Sequence, residues 1–230
     1  MGSLDLASDS IIPHVRTDIV KYLNAGRGEF SIDRLQFNFF QNPTKDLYYK
    51  ISGGILEQMF TGLGAEVLYK PFDRNYAIGV DAFSVQQRGY DGLLSLLDYK
   101  TTTGHINFYY REPRSKILFA FKGGKYLAGD SGVTFDFSRR FKSGLVTGVF
   151  FSLTDISKRE FGEGSFDKGF YFTIPIDAFT SKYNKRFFSW GLKPLTRDGA
   201  AILSHGFHLY GVTEQAQHET YFRDKDDIYD

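Results

Sequence analysis

The side chains of this chain that could do chemistry fall into two groups, one in glycine-rich connections and one inside alternating apolar stretches. The first group holds Asp130, then Glu160, Glu163, Asp167 and Lys168, then Arg197 and Asp198. Two nearby carboxylates can share the acid and base work of glycoside hydrolysis, and Glu160 with Glu163 invites that reading. Spacing along a loop fixes no separation in space. The same residues also read as a salt-bridge and turn network, with Gly162, Gly164 and Gly169 allowing positive φ. The second group is Asp81, His105, Lys122 and Asp136. His205 and His208 lie three residues apart with no third ligand at a suitable spacing, so no metal site is expected. His105 has no Gly-x-Ser-x-Gly turn to serve, and Gly123-Gly124-Lys125 lacks the spacing of a phosphate loop. The chain has no cysteine, which excludes thiolate ligands, thiol nucleophiles and disulfides. No catalytic residue, metal or cofactor is expected.

What must position these groups is a series of strands. About ten stretches alternate apolar with polar or small residues, near 30–40, 46–58, 62–70, 75–87, 98–111, 115–126, 132–141, 144–154, 166–176 and 186–195. A strand points successive side chains to opposite faces, so each stretch has one greasy face and one wet or crowded face. Phe108, Phe119, Phe135, Phe151, Phe172 and Trp190 fall on the first. Glu66, Lys70, Asp81, His105, Asn107, Lys122, Thr134, Asp136 and Ser152 fall on the second, with Leu68, Phe83, Leu118 and Phe150 among them.

The stretch length suits a tilted crossing of a bilayer, and the pattern predicts an all-β fold. That fold is an antiparallel transmembrane-type β-barrel, or an arc of a larger one, of about ten strands. A short helix within 13–25 precedes it. Residues 1–29 then form a lead-in, 30–200 the barrel domain and 201–230 a polar tail, in which Tyr210 could join a further short strand.

Connections at 41–44, 71–75, 112–114 and 142–144 are short, and three carry proline, which cannot donate to a ladder. Those at 88–98 and 155–165 are long. By parity, short turns gather at one rim and long loops at the other, with exceptions at 60–62 and 177–185. Asp130, the 160–168 group and Arg197 with Asp198 share the long-loop rim, where they are candidate polymer contacts. Asp81, His105, Lys122 and Asp136 are candidate lumen residues.

Charge narrows the classes further. Lys and Arg number 28 against 27 Asp and Glu, so no global field favours nucleic acid. Twenty-four Phe and 15 Tyr suit strands and interfacial aromatic girdles. No apolar run is long enough for a membrane helix. Residues 1–12 lack the basic start and apolar region of a signal peptide, so on the barrel reading the chain is expected to be an engineered or internal piece of a longer exported precursor. A large soluble β-sandwich or sugar-binding barrel, and an outer-membrane enzyme acting on lipid or glycan, are the alternatives.

Three segments carry a family likeness: 124–132 (GKYLAGDSG), 160–169 (EFGEGSFDKG) and 194–199 (PLTRDG). With Pro13-His14-Val15-Arg16 and 66–73 (EVLYKPFD) upstream, the chain resembles the YjbH/GfcD family of exopolysaccharide and capsule-associated outer-membrane proteins, in their C-terminal part. The resemblance implies a non-catalytic role in export or surface assembly of polysaccharide at a Gram-negative outer membrane. Its implied partners are extracellular polysaccharide, outer-membrane lipid and periplasmic lipoproteins or other export-complex components. It supplies no catalytic residues.

Overall fold

The computed structural model describes residues 13–25, 31–141, 143–156, 166–176, 187–192 and 198–214. A short helix, α1 (Ile19–Ala25), precedes ten strands. These are β1 (Leu35–Thr44), β2 (Leu47–Ile55), β3 (Phe60–Tyr69), β4 (Tyr76–Arg88), β5 (Leu96–Arg111), β6 (Ile117–Lys125), β7 (Ser131–Arg140), β8 (Val146–Thr154), β9 (Asp167–Pro175) and β10 (Phe187–Leu192). A six-residue helix, α2 (Leu209–Glu214), follows. The strands form one antiparallel sheet in chain order, with β1 and β10 at its edges. Among the described residues it is an open arc. One layer of ten strands is not the pair of stacked sheets a sandwich requires.

Register turns the sequence alternation into two opposite surfaces. Val67, Val80 and Ile106 sit side by side on β3, β4 and β5, and all three are exposed. Phe108, Phe121, Phe135 and Phe151 make the next row across β5 to β8. Their rings meet at 6.2, 5.3 and 4.9 Å between centroids. On the last strands Phe172 pairs with Trp190 at 5.3 Å. Each such cross-strand aromatic pair contributes roughly 0.5–1.5 kcal/mol beyond its buried area. The other surface is polar and buried: Lys50, Ser52, Glu66, Asp81, His105, Asn107, Thr134 and Ser152. Soluble proteins bury apolar side chains and expose charged ones. This sheet exposes a row of apolar side chains on one face and buries charged ones on the other, with Leu68, Phe83 and Val85 among them.

On the inner surface small residues leave room for rings. A Cβ on Gly64 would lie 2.3 Å from the Phe83 ring, and one on Gly148 would lie 2.4 Å from the Tyr171 ring. Apolar packing gathers at the arc's end, where Val15, Tyr22, Leu56, Met59, Phe60, Leu127 and Leu203 form a cluster with Phe83 and Val85.

The short helix expected within 13–25 is present as α1, after Arg16 and Thr17 have given their amides to Asp198. Two expectations shift. The first hairpin does not turn at 41–44. β1 runs on to Thr44 with a register irregularity between Gln41 and Thr44, a place where an edge strand tolerates Pro43. Tyr210 is helical, within α2, and not in a further strand.

Candidate functional site: the polar inner face and its strap

Residues 198–214 cross the inner face from one rim to the other. They start at the rim built by the connections 56–59, 89–95 and 126–130, and end where β5 and β7 finish. Polar contacts along this strap are interspersed with apolar ones: Ala201 and Leu203 join the cluster around Phe60, and Leu209 and Tyr210 pack with Leu68 and Ala77.

At the first rim, two carboxylates that the sequence singled out turn out to be anchors. Asp198, fully buried, accepts the amides of Arg16 at 2.7 Å and Thr17 at 3.0 Å, and the Thr17 hydroxyl at 2.8 Å. Asp130 Oδ2 accepts the Ala200 amide at 2.8 Å, and burial pushes this carboxyl above the usual carboxylate range. Glu57, not singled out by the sequence, does more. It pairs with both terminal nitrogens of Arg16, at 2.6 and 3.2 Å, and accepts the Ser204 amide at 2.9 Å. Arg88 is buried with no carboxylate partner among the described residues. Its guanidinium donates to the carbonyls of Ile32, Gln58, Gly92 and Leu93 at 2.6–2.9 Å, stapling two loops and the segment before β1 together.

Midway, a transverse row of directly paired residues crosses β2 to β5: Lys50, Glu66, Asp81 and His105. Lys50 has no exposed surface. Its ammonium lies 3.1 Å from Glu66 Oε2 and 2.9 Å from His205 Nδ1, and donates to the Phe207 carbonyl. Glu66 Oε1 takes the Leu209 amide at 2.9 Å. Glu66, His205 and His208 bring ligand atoms within 4.8 Å of one another, so the fold supplies the third metal-type donor that linear spacing lacked. The Lys50 ammonium already bridges two of them. The cation at this point is therefore the chain's own, and His205 meets it with a lone pair.

Beside this cluster, Asp81 Oδ1 lies 3.1 Å from His105 Nδ1, and Asp81 Oδ2 accepts Asn107 Nδ2 at 2.7 Å. His105 Nε2 is buried and meets no hydrogen-bond partner among the described residues. An oriented imidazole can carry a proton. Among the described residues no hydroxyl is hydrogen-bonded to it for attack.

The sequence-derived groups thus separate. Asp130 and Asp198 join one rim network. Asp81 and His105 pair directly. Lys122 lies opposite Asn107 in register, and Asp136 accepts the Tyr171 hydroxyl at 2.9 Å. Asp167 is buried on the inner face opposite Ser152, whereas its neighbour Lys168 is exposed beside Phe151, with Nζ 4.6 Å over the Phe166 ring. Glu160, Glu163 and Arg197 lie outside the described residues. Sequence reading missed Lys50, Glu57, Arg88 and Arg111. Inward parity on β2 was the one signal that would have marked Lys50.

Comparison with known proteins adds the following. A family model described as YjbH, exopolysaccharide biosynthesis protein YbjH, matches residues 2–215. An Escherichia coli (strain K12) protein named uncharacterized lipoprotein YjbH is 40% identical over 209 residues, covering 89% of this chain and 30% of the relative. The chain therefore spans less than a third of that relative's length. No solved structure matches.

Proposed function

The chain belongs to the YjbH family of exopolysaccharide biosynthesis proteins, and from that premise we propose that its sheet is part of an outer-membrane β-barrel wall. The outer face meets lipid, and the polar inner face serves export or surface assembly of exopolysaccharide without bond chemistry of its own. The carrying observation is the inverted burial. Phe37, Leu63, Val80, Ile106, Val149 and Trp190 are exposed on the same face, across seven different strands when Phe170 is included. Soluble monomers seldom expose a contiguous apolar patch beyond roughly 300–600 Å², and a hydrocarbon layer is the solvent that stabilises one.

The edges β1 and β10 carry backbone groups that need partners in a bilayer. Further strands of a longer polypeptide, completing a ring, would supply them. Outer-membrane barrels place short turns toward the periplasm, which puts the end of the strap there and Asp198 toward the outside. Glu160, Glu163 and Arg197 are the polymer contacts this reading assigns to the outer rim, with lipoproteins or other export components as partners; Lys168, beside Phe151 on the outer face, is not among them.

The test is membrane assembly. Phe119→Arg and Phe172→Arg each place a charge mid-strand on the outer face, at a cost of about 2–4 kcal/mol at bilayer depth. Both should abolish recovery of protein in floated vesicles, while Lys122→Gln on the inner face assembles normally. Normal flotation of both arginine variants would refute the lipid assignment. Glu163→Ala with Arg197→Ala should lower secreted polymer with assembly intact.

A further inference from the structure

Where the strap ends, one carboxylate pairs with the cations of two strand ends, and a third cation lies buried nearby. Glu214 Oε1 accepts Arg111 Nη2, and its Oε2 lies 3.6 Å from Arg140 Nη2. Lys70, immediately after β3, is buried beside them. Its Nζ donates to Thr213 Oγ1 at 3.2 Å and sits 4.9 Å above the Tyr210 ring. Tyr210 in turn lies flat on Tyr109, with ring centroids 3.9 Å apart. β3, β5 and β7 all run toward this rim, so the meander itself brings Lys70, Arg111 and Arg140 together.

Three clustered cations repel one another unless an anion is shared among them. Guanidinium forks match the two oxygens of a carboxylate, and aromatic faces beside them favour a flat, partly apolar ring. Glu214 fills this arrangement from a helix of six residues, which has little stability apart from its contacts. It is a resident carboxylate whose own ties to the rim are polar, at the end of a helix whose Leu209 and Tyr210 stay packed with Leu68 and Ala77. The polar ties can be exchanged for those of another polar chain at small net cost.

We propose that Arg111, Arg140 and Lys70 form a recognition site for the carboxylate of an acidic sugar residue, and that Glu214 is the occupant that an acidic polysaccharide displaces. The inference rests on the export reading and names its substrate class: a polymer bearing carboxylates. Polymer and seated strap then compete for the same guanidinium groups, so acidic glycan binds as the strap's last turn withdraws.

The experiment measures binding of polygalacturonate, and of its fully methyl-esterified form, to the detergent-solubilised protein by calorimetry. Glu214→Gln keeps the side chain's size and removes its charge. It should tighten polygalacturonate binding about tenfold, the value of one charge-assisted contact. The ester should bind no better to the variant than to the wild type. Arg111→Gln with Arg140→Gln should remove the gain in the Glu214→Gln background. If that triple variant fails to run as a folded, heat-modifiable band, Lys70→Gln in the same background replaces it with the same expectation. Unchanged affinity in Glu214→Gln, or equal binding of the acid and its ester, overturns the site. Failure of wild-type protein to assemble in vesicles counts against the export reading alone, because the binding assay does not require a bilayer.

Discussion

At the scale of single residues, Lys50 is the most consequential side chain of the inner face. It is a fully buried ammonium whose three contacts, to Glu66, His205 and the Phe207 carbonyl, join two strands and the strap. Removing one member of a buried pair leaves the other charge uncompensated, typically at about 3–5 kcal/mol. Lys50→Met should therefore lower the urea midpoint in detergent sharply, and Lys50→Met with Glu66→Leu should recover much of the loss. A mild effect of the single variant would show that the pair is not buried. Asp130 makes a prediction with a pH sign. Its folded carboxyl titrates above the usual carboxylate range because of burial, so the folded protein holds its proton more tightly than the unfolded chain does. Stability should fall as pH rises from the ordinary carboxylate value through the raised one. Asp130→Asn keeps an acceptor for the Ala200 amide and should flatten that slope. Asp130→Ala should cost about 1–3 kcal/mol by leaving the amide unmet.

At the scale of elements, the strands hold because two periodicities agree. Alternation gives each strand its faces, and register aligns those faces into rows, so a slip of one residue would move Asp81 and His105 to the apolar side. Glycine positions are as strict as aromatic ones. Gly64→Val would drive two methyl groups into the Phe83 ring and the Ala82 carbonyl, and should prevent assembly, whereas Gly123→Ala faces only ordinary contacts and should be tolerated. Folding yield of the two variants side by side is the check. Strand existence was legible in the sequence because alternation over nine or more residues is hard to mimic. The end of β1 was not. Pro43 normally signals a turn, but here it sits inside the register irregularity at the end of β1, where the ladder is interrupted and its missing donor is tolerated.

At the scale of the whole molecule, the inner face and the strap form one unit. If the polymer path follows the inner face, the strap occupies it in this state and must shift. The chain has no native cysteine, so a pair introduced at Tyr109 and Tyr210, which already stack, can be bridged by a short cleavable dithiol-reactive linker. Bridging should stop polymer secretion, and cleaving the linker should restore it. Secretion that continues with the bridge in place would mean the strap is a permanent part of the wall. Sequence reading left residues 201–230 as a polar tail because residues 198–214 carry neither strand nor long-helix periodicity. Their structure comes from docking to groups far away in sequence.

The sequence alone determined the strand count, the antiparallel order and which side chains share a face, because a two-residue period is a local property that neighbours in the chain enforce. It also marked Asp81 and His105, whose facing follows from the same count. Only the tertiary structure decided what those faces do. It turned Asp130 and Asp198 into anchors, gave His205 and Glu66 a common lysine, and set Glu214 among cations from β5, β7 and the end of β3. Those contacts join residues up to 182 positions apart, as Arg16 and Asp198 show. No local pattern records such a closure, because its free energy is gained only when both ends of the chain reach the same rim.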